Sequence, residues 1–286
     1  MKRVGIILTL CVLLLITSCT APEVLPQDVA CRIYFLNVGQ GDCTLIRTQH
    51  GDVLIDSGPE SAQEELCLRL EQLGVVELVL AVFTHPDEDH IGGADGVLAQ
   101  IPTKEVWLPD VEADNESARR MESAIQKSGA HRRTVTVGDS LQLGELFISV
   151  FSPFSTAADA SSNDSSIVLK ATFGTVGMMF MGDAGVQVEE LLLQNYGKAH
   201  FRASLYKVGH HGSTTSNSTA WLEAVQPEYA VISSSIDNAY GHPHGEVVLS
   251  LEEMGAQVLR TAMMGEIVFE CDGTELYLLN EIKEKA

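Results

Sequence analysis

The stretch Phe83-Thr84-His85-Pro86-Asp87-Glu88-Asp89-His90-Ile91-Gly92-Gly93 decides how the rest of this chain is read. Two imidazoles and three carboxylates fall between His85 and His90, directly after the apolar run 78–83. That run is short, β-branched and without helical periodicity, which predicts a buried strand. Its end delivers the polar side chains into a loop, and Gly92-Gly93 let the backbone turn closely into a helix. A solvated acidic turn scatters such groups, whereas a metal site concentrates them. The stretch is read as a metal site.

Outward from it, the first half is rich in strands. Residues 31–37 alternate and break at Val38-Gly39-Gln40-Gly41-Asp42. Strands at 43–47 and 53–56 follow, the second ending in Asp56-Ser57-Gly58. Leu66, Leu70 and Leu73 predict a helix over 61–73, with Ser61 and Glu64 as a capping box and Gly74 as its stop. Beyond the central stretch come a strand at 105–108, a polar amphipathic helix at 115–128, and short strands within 133–152 broken by Gly138 and Gly144. Residues 156–166, rich in Ser, Ala, Asp and Asn, are predicted as loop. The second half repeats this grammar. Strands 167–173 and 176–181 end at Gly182-Asp183, helix 186–196 follows, and strand 205–208 ends at His210-His211-Gly212-Ser213. A helix around 221–225, a strand at 229–233 and a helix at 246–254 precede a tail, 257–279, read as edge strands turning at Asp272-Gly273. Hairpins beside strand–helix alternation predict an α/β fold in which two mixed sheets face each other with helices outside.

Lys2-Arg3, the apolar run 4–16 and Thr17-Ser18-Cys19 have the layout of an export signal, too short to span a bilayer comfortably. Ile16-Thr17-Ser18-Cys19 resembles a bacterial lipobox. The expected organisation is a signal peptide over 1–18, a lipidated Cys19, a tether over 19–30 and one domain over 31–286. Such a protein is anchored on the outer face of the cytoplasmic membrane. Only 4–16 is strongly apolar, so no membrane-embedded channel is expected in this sequence. The remaining cysteines, Cys31, Cys43, Cys67 and Cys271, show no C-x-x-C pairing and are read as small buried residues. The net charge is −21. Loss of Lys2 and Arg3 leaves 16 Lys and Arg against 39 Asp and Glu, or −23. That balance argues against tight, sequence-independent nucleic-acid binding, which rests on basic side chains neutralising phosphates.

Three strand ends thus carry metal-type residues: His85, Asp87, Asp89 and His90; Asp183; and His210 with His211. Asp42, Asp56 and His242 lie near them in pattern. Taken alone, Asp183 reads equally as a helix N-cap. Seven such side chains suffice for two ions, which are typically held roughly 3.5–4 Å apart with a bridging carboxylate.

The 85–93 stretch resembles the signature of the metallo-β-lactamase superfamily, with aspartate replacing the second histidine of H-x-H-x-D-H. The variant, together with Asn37-Val38-Gly39-Gln40-Gly41-Asp42, Asp56-Ser57-Gly58, Met181-Gly182-Asp183, Lys207-Val208-Gly209-His210-His211-Gly212-Ser213 and Tyr240-Gly241-His242-Pro243, is similar to the soluble domain of ComEC-type DNA-uptake proteins and their free-standing relatives. The resemblance implies an αββα sandwich and two divalent ions, manganese or zinc. His85 and Asp87 would hold the first, Asp89 and His90 the second, with Asp183 bridging and His210 preferred to His211 as the last ligand. The region before Ile167 lacks the superfamily's usual histidine, so the first site is one ligand short, with Asp42 and Asn163 as candidates to help. An oxygen-rich set favours manganese over zinc. The implied reaction is hydrolysis by a metal-bound hydroxide that Asp89 and Asp183 orient. His211 and His242 would act on the phosphate or the leaving oxygen, and Ser213, Asn163, Ser165 and Gln40 would contact substrate. The substrate expected is a phosphodiester, DNA or a nucleotide, and the acidic charge favours a small one over duplex DNA. The competing readings are a β-lactamase or other amide or ester metallohydrolase, and a non-catalytic metal-binding lipoprotein. Nothing in the sequence points to a protein partner.

Overall fold

Apolar residues alternate along the central strands, so each strand feeds two different cores, and this places three layers of packing around two sheets. The computed structural model describes residues 25–154 and 161–279. The predicted signal peptide, Cys19 and the first part of the tether lie outside the described residues.

The first half builds β1 (Cys31–Phe35), β2 (Thr44–Thr48), β3 (Gly51–Ile55), α1 (Gln63–Gln72), β4 (Leu78–Val82), α2 (Glu88–Ile91), α3 (Ala94–Gln100), β5 (Thr103–Leu108), α4 (Glu116–Ser128) and β6 (His131–Thr134). β1, β2 and β3 pair antiparallel, and β3 to β6 pair parallel. The second half builds β7 (Ser140–Leu143), β8 (Leu146–Ser152), β9 (Val168–Phe173), β10 (Val176–Phe180), α5 (Val186–Tyr196), β11 (Leu205–Lys207), α6 (Thr219–Val225), β12 (Tyr229–Ile232), α7 (Gly245–Glu253) and β13 (Gln257–Arg260). There β7 to β10 are antiparallel and β10 to β13 parallel. After α8 (Thr261–Met264) the chain crosses back, and β14 (Ile267–Cys271) and β15 (Leu276–Leu278) complete the first sheet in the order β15-β14-β1-β2-β3-β4-β5-β6. The predicted pair of facing mixed sheets with outer helices is what the chain forms.

Ile33, Phe35, Val53, Ile55, Met178 and Phe180 share the core between the sheets. Their neighbours Tyr34, Leu36 and Leu54 face the helices over the first sheet. Met179 and Met181 face those over the second. The period of two along a strand produces this sorting. Phe35 of β1 bridges the layers, stacked on Phe180 at 6.4 Å and edge-on to Phe269 at 6.2 Å.

Two local expectations are corrected. The helix 61–73 has no Ser61–Glu64 capping box: a 3-10 turn at Glu60–Ala62 precedes α1, whose N-cap Ala62 makes no side-chain bond. The Glu60 amide is taken instead by the Glu88 carboxylate at 2.8 Å. In the tail, β13 and β15 are edges but β14 lies inside the first sheet, between β1 and β15. The helix predicted at 115–128 forms with Asn115 as its cap, accepting from the Ala118 amide at 2.8 Å. The four cysteines of the described residues are buried and free.

Phe180→Ala should cost about 3–5 kcal/mol by leaving a cavity between the sheets, whereas Phe147→Ala, at a 40 % exposed position, should cost under ~1 kcal/mol. Chemical denaturation of both variants checks this; equal costs would refute the assignment of Phe180 to the shared core.

Candidate metal centre

Both sheets run out at the same end of the molecule, and the polar residues sit just past their last strand residues. β4 hands over to Thr84 and His85, and Asp87 stands at the N-cap position of α2 with its side chain free of the helix amides; α2 carries Asp89 and the buried His90. β10 leads to Gly182, at φ +53°, and then Asp183, whose amide takes a hydrogen bond to Ser166 Oγ at 3.1 Å. Asp183 does not cap α5, whose N-cap is Gly185. β11 leads to a tight turn in which His210 and His211 both adopt left-handed backbone conformations. Close backbone approach locks these loops together. The Asp42 amide donates to Asp89 O at 3.1 Å and the Ser57 amide to His90 O at 2.7 Å. A side chain at Gly41 (φ +146°) would place its Cβ 2.3 Å from Asp89 O, so only glycine fits there.

The ring nitrogens converge. His90 Nε2 lies 3.3 Å from Asp183 Oδ1, His85 Nε2 is 3.9 Å from Asp183 Oδ2 and 3.7 Å from Asp87 Oδ2. His211 Nε2 lies 3.1 Å from Asp89 Oδ2 and 3.7 Å from Asp183 Oδ2. Donor atoms that share one cation at ~2 Å sit ~3–4 Å apart, so these spacings suit coordination. His85, His90 and Asp183 form one cluster of ligand atoms, and Asp89, His90 and His211 another. His85 Nε2, His90 Nε2 and Asp183 Oδ1 are all buried without a hydrogen-bond partner, the condition a cation between them would relieve.

A surrounding layer fixes which nitrogen faces inward. Asp56, itself left-handed at φ +59°, accepts from the Thr84 amide at 2.7 Å, from Thr84 Oγ1 at 2.8 Å and from His90 Nδ1 at 2.8 Å. Thr84 Oγ1 lies 3.1 Å from His85 Nδ1. His211 Nδ1 donates to the Ser233 carbonyl at 2.9 Å. Each ring therefore presents Nε2 to the centre, the arrangement by which outer partners orient metal-binding histidines. Asp42 and Asp56 with His90 also come within ligand spacing. Asp56 has both oxygens taken by Thr84 and His90, and Lys207 Nζ sits 2.7 Å from Asp42 Oδ2 in a buried ion pair, while Asp42 Oδ1 has no hydrogen-bond partner. They buttress the site.

Electrostatics follow from this packing. Burial opposes the charged form of His90, yet Asp183 and Asp56 raise its pKa well above the usual imidazole value. His211, similarly buried beside Asp183 and Asp42, is pushed up to about 10. Burial and the neighbouring His90 lower His85. Burial disfavours ionised Asp183, but His90 and His211 hold it well below the carboxylate range. Burial and the His210 ring lower His242 to about 4.

Of the predicted residues, His85, Asp87, Asp89, His90, Asp183 and His211 meet at the centre. His210 reaches Asp183 Oδ2 only from the exposed side, at 3.6 Å, and its Nδ1 is tied to Thr215 Oγ1 at 3.0 Å. Both rings thus lie within 4 Å of Asp183, and His211 is the one whose Nε2 also groups with Asp89 and His90. Gln40, Asn163 and His242 line a cleft of about 190 Å³ above the cluster. Ser165 and Ser213 do not: the Ser165 hydroxyl bonds the Ser162 carbonyl and Ser213 Oγ bonds Thr215 Oγ1 at 2.9 Å, inside their own loops. Asp42 faces Lys207, away from the cleft. Thr84, Lys207 and Tyr240 went unassigned in the sequence, although Lys207 and Tyr240 stand inside quoted motifs.

A family profile described as Metallo-beta-lactamase superfamily matches residues 36–235. The chain is 31% identical over 284 residues to ComE operon protein 3 of Bacillus subtilis, covering 93% of this chain and 35% of that protein. It is 31% identical over 249 residues to Competence protein ComA of Neisseria gonorrhoeae, covering 87% and 33%. It spans about a third of the length of these curated relatives. Among solved structures, Igni18, a metallo hydrolase from Ignicoccus hospitalis, superposes with a TM-score of 0.57 at 16% identity, covering 84% of this chain and 100% of that one. CmlA, a diiron beta-hydroxylase from Streptomyces venezuelae, gives 0.59 at 13% identity, covering 88% and 55%. At these identities the likeness shows the fold alone.

His90 and His211 carry protons near neutrality when no cation is held, and a cation takes neutral imidazole, so metal binding must release protons and tighten as pH rises. Calorimetric titration of metal-free protein with manganese or zinc, in two buffers of different protonation enthalpy at pH 7, should read on the order of two protons released. An affinity that stays flat between pH 6 and 8 would contradict this geometry.

Proposed function

Because the chain belongs to the metallo-β-lactamase superfamily, we propose that it is a dinuclear metal-dependent hydrolase of phosphodiesters. The observation that carries this reading is the set of buried, unpartnered atoms His85 Nε2, His90 Nε2 and Asp183 Oδ1 pointing at one another. In it, His85 and Asp87 would hold one ion and Asp89, His90 and His211 the other, with Asp183, within reach of His85, His90 and His211, serving both. Manganese or zinc fits this set, and its three carboxylates favour the harder ion. When bound, such ions supply Lewis acidity and make water a nucleophile near neutral pH.

The chain's own residues do the rest. Asp89 and Asp183 fix the line along which water approaches phosphorus. His210 and Asn163, on the open side of the cleft, contact the non-bridging oxygens, as does Gln40, whose Nε2 is buried without a partner. His242 is neutral at pH 7, so it donates a hydrogen bond to substrate and positions it; it does not deliver a proton from an imidazolium. Replacement of the superfamily's second histidine by Asp87 supports phosphorus over an amide carbonyl, as does similarity to a protein named for competence. DNA or a nucleotide remains the substrate that this similarity favours. The lipobox-like Ile16-Thr17-Ser18-Cys19 supports export and anchoring through a lipid on Cys19, on the outer face of the membrane. Among the described residues no helix is long and apolar enough to cross a membrane.

Protein loaded with manganese or zinc should hydrolyse bis(p-nitrophenyl) phosphate and spare nitrocefin. Asp89→Asn and Asp183→Asn should each lower kcat by at least ~100-fold with the circular dichroism unchanged. Turnover of nitrocefin with no turnover of the diester would sink the assignment, and activity untouched by either variant would place the reaction elsewhere. Asp56→Asn, which breaks the hydrogen bond orienting His90, should weaken metal affinity ~10–100-fold by equilibrium dialysis.

A further inference from the structure

The cleft above the metal ligands does not end there. Gln40, Asp87, Asp89 and Tyr240 also line a larger groove of about 710 Å³ that continues it outward. The groove is acidic along its length. Asp87 and Asp89 are neutralised once the cations bind, but Glu60, Glu88 and Glu116 line it too. The one basic side chain among its lining residues is Arg120. It is already shared among Glu60 at 3.0 Å, Asp95 at 3.6 Å and Glu116 at 3.7 Å. Negative charge therefore exceeds positive in the groove while the ligand cluster beside it gathers cations.

Two further features stand where the groove joins the inner cleft. Tyr240 stands at the junction, 67 % exposed, its ring stacked on His242 at 5.5 Å with an interplanar angle of 21°. His242 is more than nine-tenths buried and lines the inner cleft, and its Nδ1 has no partner. An exposed aromatic face beside carboxylates attracts cations, and most strongly those that shed water easily.

We propose that the groove receives the positively charged end of a zwitterionic phosphodiester, an ammonium or quaternary ammonium group, while its phosphate lies at the metal ligands. This rests on the phosphodiesterase reading, keeps its bond and its metal ligands, and sets a zwitterionic ester in place of DNA or a nucleotide as the substrate. Glu88 and Glu116 supply the opposing charge, Tyr240 the ring face, and His242 the hydrogen bond to the phosphate. In hydrolysis, water adds to phosphorus and the bond to the leaving oxygen breaks. The charged phosphomonoester, the alcohol or phenolate, and a proton leave.

The test compares two esters of equal shape: p-nitrophenyl phosphorylcholine and its uncharged isostere, p-nitrophenyl 3,3-dimethylbutyl phosphate. The metal-loaded full chain should favour the choline ester by about tenfold in kcat/KM, a ratio that shrinks in 1 M salt. In Glu88→Gln/Glu116→Gln and in Tyr240→Ala the ratio should fall toward one. Equal kcat/KM for the two esters in the unaltered protein overturns the inference and leaves the phosphodiesterase reading standing. Turnover of neither ester, nor of bis(p-nitrophenyl) phosphate, overturns both. Phosphatidylcholine vesicles distinguish the source. Release of phosphorylated headgroup from them would place the substrate in a lipid, and turnover of the soluble ester alone in a soluble molecule. Either supports the charge-bearing class.

Discussion

One contact ties the two halves of this molecule together where it matters: His90 from the first sheet against Asp183 from the second, 3.3 Å apart and both buried. A polar atom buried with no partner costs on the order of 1–3 kcal/mol, and charged groups more. Three such atoms meet here. Elsewhere between the sheets the fold fills the junction with apolar side chains, as where Phe180 of β10 meets Phe35 of β1, itself edge-on to Phe269 of β14. The fold keeps the polar atoms and surrounds them with rigid partners instead. A cation at the centre would relieve all three atoms, which is the ground for reading it as a metal site.

Its rigidity comes from residues that never reach the centre. Asp56 spends both oxygens on Thr84 and His90, and a backbone carbonyl settles the tautomer of His211. The buried pair Lys207–Asp42 joins the second sheet to the first. Breaking such a pair by removing one partner leaves an uncompensated charge in a dry interior. The first two sets hold the rings within each half, and the Lys207–Asp42 pair crosses from one half to the other.

Much of this was legible in the sequence, and the reasons differ by residue. Alternation in 31–37 and 176–181 settles which side chains face which core, so the paired sheets follow from hydrophobic period alone. His85, Asp87, Asp89 and His90 are legible because they crowd into six positions after an apolar strand. His210 and His211 are not separable that way. Adjacent residues on a left-handed turn point in different directions, and the turn's form is set by distant partners such as Asn217, whose side chain bonds Gly209 O and Ser213 O at 2.9 and 3.0 Å. Ser61 was misread for a related reason. Local spacing suited a capping box, but Glu88, distant in sequence, had claimed the neighbouring amide. Ser165 and Ser213 look like substrate contacts in a motif, yet a hydroxyl bonds whatever carbonyl or hydroxyl its loop brings first.

The acidic groove belongs to neither class, since it is assembled from Glu60, Glu88, Glu116 and Tyr240, which no linear motif collects. Glu60, Glu88 and Glu116 each open a helical segment. An acid in a first turn is favoured by the helix dipole and the unsatisfied amides there. That preference explains why each of the three is acidic. It does not explain why three such ends face one groove that leads to the candidate metal ligands, with Arg120, the one basic residue lining it, paired to Glu60 and Glu116 but not to Glu88. The topology does that: the helices follow β3, β4 and β5, parallel neighbours whose C-terminal ends open at the same rim. A strand order chosen to gather metal ligands thus also gathers carboxylates beside them. A negative field outside the ligand cluster disfavours a long polyanion such as duplex DNA, which is the physical ground on which the proposed substrate carries a positive charge at its far end.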